Sequence, residues 1–207
     1  MPTGADETAR VRAIWDRLAP TYDRSAGFEA WLLRDGRAWV IGQATGKILE
    51  IAIGTGRNLP LYPAGARLTG FDISPRMLAI ADERARALGL EIELALGDAQ
   101  HLSYEDASFD TVVCTLALCS IPDDRAAIAE VFRVLRPGGR FVLVEHVRSH
   151  HLVVRGIERL MERWSLPRTG DHLLRDPLDH LEPAGFVVDQ TARSRLGFIE
   201  RVLAHRP

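Results

Sequence analysis

The middle of the chain alternates short apolar runs with segments of helical periodicity. The runs predict strands at 47–53, 67–72, 91–96, 109–114 and 140–146. The intervening segments carry helix signals, as at Ser74-Pro75, where serine is expected to cap the helix and proline to occupy its first turn. This order of elements predicts an α/β protein with a mostly parallel sheet and helices on both faces.

The two ends of the chain follow other patterns. A helix is predicted over about 7–18, broken at Ala19-Pro20, and a second amphipathic segment carries Phe28, Trp31 and Trp39. Residues 152–164 predict a helix with an apolar side and an arginine stripe. Strands at about 186–191 and 198–204, separated by a glycine-containing turn, predict an antiparallel hairpin at the edge of the sheet.

Composition narrows the class of protein. The chain has 207 residues, 46% of them apolar, and a formal net charge of -2, so the strongly basic surface typical of nucleic-acid binding is missing. Cys114 and Cys119 lack a CxxC spacing, which indicates reduced thiols. No signal peptide or apolar run of ~18 residues is recognised. We therefore expect a soluble, cytoplasmic protein that binds no nucleic acid; its oligomeric state stays open.

A glycine turn after the first strand indicates a cofactor pocket. Gly54 and Gly56 follow the apolar run 47–53, and glycine lets a ligand approach bare backbone at the carboxyl end of a parallel strand. The third glycine of a dinucleotide fingerprint is replaced by Leu59, which argues against an NAD-dependent oxidoreductase. Instead an acid, Asp72, ends the second strand, where a carboxylate can accept hydrogen bonds from both ribose hydroxyls.

Further motifs follow in order: Leu-Glu-Ile-Ala-Ile-Gly-Thr-Gly, Asp-Ile-Ser, Gly-Asp-Ala, Ser-Phe-Asp-Thr-Val-Val-Cys and Leu-Arg-Pro-Gly-Gly. Together they resemble the class I S-adenosylmethionine-dependent methyltransferases, of the methyltransferase type 11 group, over about residues 47–146. The stretch Trp-Asp-Arg-Leu-Ala-Pro-Thr-Tyr-Asp (15–23) resembles the lid of quinone and phospholipid methyltransferases. The stretches Val-Cys-Thr-Leu-Ala-Leu-Cys-Ser and Val-Glu-His-Val look closer to thiol S-methyltransferases.

The resemblance implies a Rossmann-like methyltransferase fold, S-adenosylmethionine as cofactor, and a set of site residues. Gly54 and Gly56 would approach the methionine and ribose portion, Asp72 would bind the ribose hydroxyls, and Asp98 would accept from the adenine amino group. The other implied cofactor residues are Tyr22, Glu50, Ala52, Ile73, Met77, Ala99 and Thr115. Ala52 stands where the family usually has glycine, and its methyl group is tolerable if its φ is negative.

Several of these residues have structural alternatives. Tyr22 could anchor the N-terminal helices, Asp72 could cap the following helix, and Met77 at helical spacing could belong to the core. His146 ends the fifth strand and is the candidate catalytic base, with a hydrogen-bonded structural histidine as the alternative. The histidines at 146, 150 and 151 match no known ligand spacing, so no metal is expected.

The predicted function is methyl transfer from S-adenosylmethionine to a small, partly apolar acceptor. One domain is expected, with a helical lid (1–45), a cofactor-binding core (46–146), a substrate-side insertion (147–182) and a C-terminal hairpin (183–207). Lid and insertion should roof the pocket with apolar and aromatic groups, and a thiol, quinone-like ring, amine or lipid headgroup stays open as acceptor. The alternatives are a non-catalytic cofactor-binding protein acting through a partner and the NAD-dependent oxidoreductase.

The arginines at 155, 159 and 163 recur on one side of the predicted helix over 152–164. We expect a solvated face, with glutamates at 158 and 162 as nearby partners. Contact of this stripe with an acidic lipid headgroup or a membrane surface is kept as the alternative.

Overall fold

A seven-stranded sheet forms the centre of the molecule in the computed structural model, which describes residues 4–194 and 196–207. Its spatial order is β3-β2-β1-β4-β5-β7-β6. The first five strands run parallel, and β7 pairs antiparallel with both β5 and β6. The strands are β1 (Lys47–Ile51), β2 (Arg67–Asp72), β3 (Ile92–Leu96), β4 (Phe109–Thr115), β5 (Leu135–His146), β6 (Val187–Arg193) and β7 (Ile199–His205). The α/β class, the seven strands and the edge hairpin are confirmed.

Seven α-helices cover the sheet and its carboxyl edge within the described part of the chain. They are α1 (Gly4–Tyr22), α2 (Ala26–Leu33), α3 (Gly36–Gln43), α4 (Pro75–Leu88), α5 (Asp124–Val134), α6 (Leu152–Thr169) and α7 (Leu178–Leu181). As expected, Ser74 caps α4 by accepting from the Met77 amide, and α4 ends at the left-handed Gly89. None of these helices is long and apolar enough to cross a bilayer.

Four element boundaries differ from the sequence prediction. The first helix does not break at Pro20 but continues to Tyr22, and α6 likewise runs through Pro167 to Thr169. Each proline removes its own helical N–H hydrogen bond, but both lie in the last turn, so only two residues of helix follow them. Strand β1 ends at Ile51, two residues early, and β5 begins at Leu135, because an irregularity in its pairing with β4 accommodates Pro-Gly-Gly.

Two apolar clusters lie on opposite faces of the sheet, because successive side chains of a strand point to opposite sides. On one face, Leu49 and Phe141 pack with α5 residues such as Ile128. On the other, Ile48 and Val142 pack with residues of α3 and α4. Helices therefore shield both sides of the parallel strands, which are buried on both faces as such strands require.

The strand order reverses between β1 and β4, the central neighbours in the sheet. From β1 the chain goes outward to β2 and β3, and then returns to β4 on the other side. The crevice at such a reversal, beyond the carboxyl ends of the strands, is where open α/β sheets bind ligands. The ends of β1, β2 and β4 all reach this edge.

Candidate functional site

A cleft of about 800 Å³ opens at this edge of the sheet. Most of the residues that the sequence singled out line it: Tyr22, Glu50, Ala52, Gly54, Asp72, Ile73, Met77, Asp98, Ala99 and Thr115. Gly56 and His146 do not appear among the lining residues. The topology thus brings together side chains that are spread over more than ninety positions of the sequence.

Asp72 joins the glycine turn to the start of α4. Its carboxylate accepts from the backbone amides of Gly54 and Ser74, each at 2.8 Å. Both predicted alternatives are therefore compatible, since a carboxylate has about four acceptor positions and only two are used here. Burial raises the pKa of Asp72 to about 6, and the backbone amides of Ser74, Gly54 and Ile73 oppose the shift.

Two non-glycine residues adopt left-handed backbone at the cleft. Ala52 has φ of 51° at the end of β1, and Leu116 has φ of 52° just after β4. The condition under which the Ala52 methyl group is tolerated without strain, a negative φ, is therefore not met. This conformation costs an L-residue roughly 1–2 kcal/mol, and the family's usual glycine would avoid it. In this turn the Ile53 amide donates to the Phe71 carbonyl at 3.1 Å, and this hydrogen bond holds the loop against β2.

The two glycines of the turn have different surroundings. Gly54 has φ of 58°, and a Cβ there would meet nothing within 4 Å, so its open side leaves room for a ligand. Gly56 has φ of 75°, and a Cβ there would lie 2.5 Å from the Leu59 side chain and 3.4 Å from the Ala81 backbone. Glycine is needed at position 56 for packing against α4.

A buried polar network supports the floor of the cleft. Glu50 accepts from Asn58 at 2.9 Å and from the Tyr62 hydroxyl at 2.8 Å, and Asn58 also donates to Thr115 at 3.1 Å. Arg37 donates to the Asn58 amide oxygen at 2.8 Å. Burial raises the pKa of Glu50 to about 7, although both hydrogen bonds favour its charged form. Through these contacts Glu50 holds the loop that follows β1.

Helix α1 closes over the acidic residues of the cleft. Thr8 donates to Asp98 at 3.2 Å, and the side-chain amide of Gln100 donates to the same carboxylate at 2.9 Å. Farther along the helix, Asp16 accepts from the Ser74 hydroxyl at 2.6 Å. The first helix is thus docked on two of the loops that carry cofactor candidates.

Arg57 fastens the end of this N-terminal segment to the glycine turn. Its guanidinium group lies 4.0 Å from the Tyr22 ring centre and donates to Asp23 at 3.0 Å, and it also pairs with Glu29. Thr55 donates to the same Asp23 at 2.8 Å. The Tyr22 ring lines the cleft and, through Arg57, also anchors the end of α1. Burial raises the pKa of Tyr22 to about 12. Sequence reasoning missed Arg57, although it directly follows the Gly-Thr-Gly turn.

The roof of the cleft differs from the prediction. It is formed by Val11, Trp15 and Tyr22 of α1 and by the loop 116–122, which sequence reasoning did not single out. No described residue of the insertion 147–182 lines the cleft. The insertion instead supports the loop 116–122 by hydrogen bonds. Arg175 donates to the Pro122 carbonyl at 2.8 Å, and the backbone amide of His172 donates to the Cys119 carbonyl at 2.8 Å.

The other aromatic and apolar groups expected in the roof lie on the surface. Phe28 and Trp31 of α2 are 67% and 72% exposed, and Met161 and Trp164 of α6 are 56% and 66% exposed. Trp39 packs against the core instead. Amphipathic spacing identified an apolar side on each segment, but it did not show which side faces inward.

His146 is not among the residues that line the cleft, and its side chain lies against α6 and Phe198. Its Nε2 atom lies 4.0 Å from Glu158 of α6, and its ring packs at 5.9 Å from the ring of Phe198. Burial lowers its pKa to about 4, so the imidazole is neutral at physiological pH but a weak base. Among the residues that the structure describes, no cluster of three or more His, Cys, Asp or Glu side chains could hold a metal ion.

Glu145, next in sequence, holds the loop after β4 in place. One of its carboxylate oxygens accepts from the amides of Ala117 at 2.7 Å and Leu118 at 3.1 Å. Burial raises the pKa of Glu145 to about 7. The same oxygen accepts from Cys114 at 3.3 Å, and burial raises the pKa values of the free thiols Cys114 and Cys119 well above the usual range, which makes them unreactive.

Comparison with known proteins bears on the chemistry of this cleft. A family profile described as "Methyltransferase domain" matches residues 49–143. The chain is 35% identical over 145 residues to a phosphatidylethanolamine N-methyltransferase of Cereibacter sphaeroides, covering 69% of this chain and 71% of that protein. It is 33% identical over 173 residues to a demethylmenaquinone methyltransferase of Deinococcus radiodurans, covering 80% and 72%. The chain belongs to the class I S-adenosylmethionine-dependent methyltransferases.

Two further likenesses show how widely this fold is used. The methyltransferase is 37% identical over 149 residues to the human thiol S-methyltransferase TMT1A, covering 67% of this chain and 59% of that protein. Its fold matches the crystal structure of the [4+2]-cyclase SpnF with a TM-score of 0.78 at 21% identity, covering 100% of this chain and 97% of that one. Because the chain belongs to this family, the alternative function of an NAD-dependent oxidoreductase is excluded.

The residues of the methyltransferase cleft fit S-adenosylmethionine. Gly54 presents open backbone, Asp72 keeps acceptor capacity for ribose hydroxyls, and Met77 offers an apolar surface for adenine. Asp98 lines the same chamber, where its oxygens already accept from Thr8 and Gln100. These are the residues that would hold the cofactor.

Proposed function

We propose that this methyltransferase acts on a small, partly apolar acceptor that enters the cleft between α1 and the loop 116–122. One observation carries the proposal: acidic and apolar groups share a single chamber. Asp72 and Asp98 lie at the strand ends, whereas Trp15, Leu116 and Ile121 supply apolar surface beside them. The charged part suits a cofactor, and the apolar part suits an acceptor with a ring or a short hydrocarbon.

The residues of the cleft serve mainly to orient the reactants and to exclude water. When bound, S-adenosylmethionine supplies an electrophilic methyl group on a positively charged sulfur, which leaves as a neutral thioether. Asp72 and the Glu50–Asn58–Thr115 network fix the positions of the loops that surround the reactants. Docking of α1 covers the chamber, and exclusion of water favours attack by an anionic acceptor, while alignment supplies much of the acceleration.

The ionisable groups of the cleft favour an acceptor that can attack the methyl group without a protein side chain acting as its base. The lining residues within the described chain include no histidine, lysine or cysteine. The buried carboxyls Glu50 and Asp72 have pKa values raised by burial to about 7 and about 6, and both are engaged in loop contacts. A thiol or quinol that loses its proton to solvent, or an amine with a free lone pair, therefore fits better than an unactivated alcohol.

Calorimetry with S-adenosylhomocysteine tests the cofactor part of this proposal. Asp72→Ala should weaken binding at least tenfold, since hydrogen bonds to a charged group contribute roughly 1.5–3 kcal/mol each. Asp82→Ala is the matched control, because Asp82 lies on the exposed side of α4 and pairs with Arg86. Equal affinities of the two variants would remove Asp72 from the cofactor site.

A labelled-methyl screen over thiols, quinols, phenols, amines and phospholipids tests the acceptor. Turnover should be highest for a compound with an apolar part, and Ile121→Ser should raise its KM without changing affinity for S-adenosylhomocysteine. Binding of the cofactor product without turnover of any class would instead support the non-catalytic alternative, in which the protein acts through a partner.

The cytoplasm is the compartment that we propose for this enzyme. Its support is the state of the two cysteines: both are free and buried rather than cross-linked. Free thiols are typical of a reducing compartment.

A further inference from the structure

Helix α6 exposes its apolar side to solvent, which is the reverse of an ordinary surface helix. Val153, Ile157, Leu160 and Trp164 recur at spacings of four, three and four residues, which places them on one side of the helix. These four side chains are 54–78% exposed. A surface helix of a globular protein normally buries this stripe, so the outward direction of the apolar side needs a separate explanation.

The polar side of α6 is the side that packs on the protein. Glu158 is buried and accepts from the Ser149 amide at 3.0 Å, and Glu162 lies 3.8 Å from His172. Ser165 donates to the Asp171 carbonyl at 3.1 Å. These polar contacts fix the rotation of the helix, so the apolar side faces outward as a consequence of specific hydrogen bonds.

The exposed charges of α6 are positive. Arg159 and Arg163 each precede a residue of the apolar stripe, and neither forms an ion pair within the part of the chain that the structure describes. Arg168 lies over the ring of Trp164 at 4.2 Å. The acidic residues of the helix, Glu158 and Glu162, are turned toward the protein and do not neutralise these arginines.

We propose that this surface, the outward side of α6, docks on an anionic lipid bilayer. An apolar stripe with tryptophan, bordered by arginines, lies in the plane of a membrane with its apolar groups at the acyl boundary and its cations at the headgroups. A second copy of the chain fits less well, because pairing two such surfaces brings arginines together in a desolvated interface. The proposal does not depend on which acceptor the enzyme methylates.

Flotation of the full-length protein with lipid vesicles tests the proposal. Binding is expected to vesicles of equal parts phosphatidylglycerol and phosphatidylcholine, and to fall with rising salt and on pure phosphatidylcholine. The double variant Leu160→Ser, Trp164→Ser should bind at least tenfold more weakly. Its control is Leu88→Ser, Leu96→Ser, since these side chains are 44% and 50% exposed on α4 and β3.

A second pair of variants separates charge from apolar contact. Arg159→Gln, Arg163→Gln should weaken binding by a factor of roughly ten or more, because each arginine near an anionic surface contributes about fivefold. Arg86→Gln, Arg125→Gln removes the same charge from the exposed sides of α4 and α5 and should leave binding unchanged.

Three results would overturn the proposal. The first is failure of the unaltered protein to float with either kind of vesicle. The second is equal flotation of the α6 variants and their controls. The third is a concentration-dependent dimer that the α6 variants abolish while vesicle binding is absent, which would assign the surface to contact between copies of this chain.

Discussion

Replacement of Arg57 by alanine should release the N-terminal segment from the cofactor turn. The guanidinium group is only 9% exposed and contacts Asp23, Glu29 and the Tyr22 ring. Removing one partner of a buried ion pair costs about 3–5 kcal/mol. In the variant Asp23 still pairs with Arg84 and Glu29 with Arg37, so we expect the lost ion pairs to cost only about 2 kcal/mol. Loss of the contact with the Tyr22 ring adds about 1 kcal/mol.

Urea unfolding and amide hydrogen exchange measure the effect of Arg57→Ala. The free energy of unfolding should fall by about 3 kcal/mol, and the amides of α2 should exchange faster than those of β4. Affinity for S-adenosylhomocysteine should fall as well, because Arg57 supports the turn that carries Gly54. Arg84→Ala is the control, since it removes a partly exposed partner of the same Asp23 and should cost less than about 1 kcal/mol.

The reasoning about Arg57 is refuted if the two arginine variants unfold with the same free energy and their α2 amides exchange at the same rate. Arg57→Lys tests the geometry of the contact. It keeps the charge but cannot reach two acids at once, and should give an intermediate loss.

Two further predictions concern strain and proton binding. Ala52→Gly and Ala107→Gly both relieve a left-handed backbone, with φ of 51° and 54°, and each should raise the free energy of unfolding by about 1 kcal/mol. Only Ala52 lies at the cleft, so only Ala52→Gly should also tighten binding of S-adenosylhomocysteine. Equal effects of the two variants on binding would argue against the place of Ala52 in the cofactor site. For Glu145, burial raises the pKa from 4.5 to about 7, so the unfolded chain gives up this proton first and the protein loses stability as pH rises from 4.5 through 7. Glu145→Gln keeps the acceptor for Ala117 and should gain about 2–3 kcal/mol relative to the unaltered protein between pH 5 and pH 8 in urea titrations; a difference that is independent of pH would contradict the assignment.

The sheet could be predicted from the sequence because each strand is marked by the residues within and next to it. Apolar runs such as 47–53 and 109–114 are bounded by turn residues, and the end of β2 follows from Asp72. Parallel strands then place their carboxyl ends at one edge, and the resemblance to the methyltransferase family supplied the individual residues expected there. Proline was a weaker guide, because Pro20 stands in the last turn of α1 and the helix continues for two residues beyond it.

Contacts between distant segments could not be predicted in this way. Arg57 joins partners about thirty positions away, and no periodicity records such pairs. The same limit explains the error about the roof: spacing shows that Ile157 and Trp164 share a side of α6, whereas polar contacts such as Glu158 with Ser149 decide which side turns inward. The sign of φ at Ala52 was likewise set by tertiary contacts of the turn.

The division of labour around the cleft has an evolutionary consequence. Backbone turns and carboxylates at the ends of β1 and β2 face one part of the chamber, whereas α1 and the loop 116–122 face the other. Under the proposed function, substitutions in the loop 116–122 would alter which compound is methylated while leaving the turns at the ends of β1 and β2 unchanged. New specificities can arise on this scaffold by small steps, without passing through a form that has lost its cofactor.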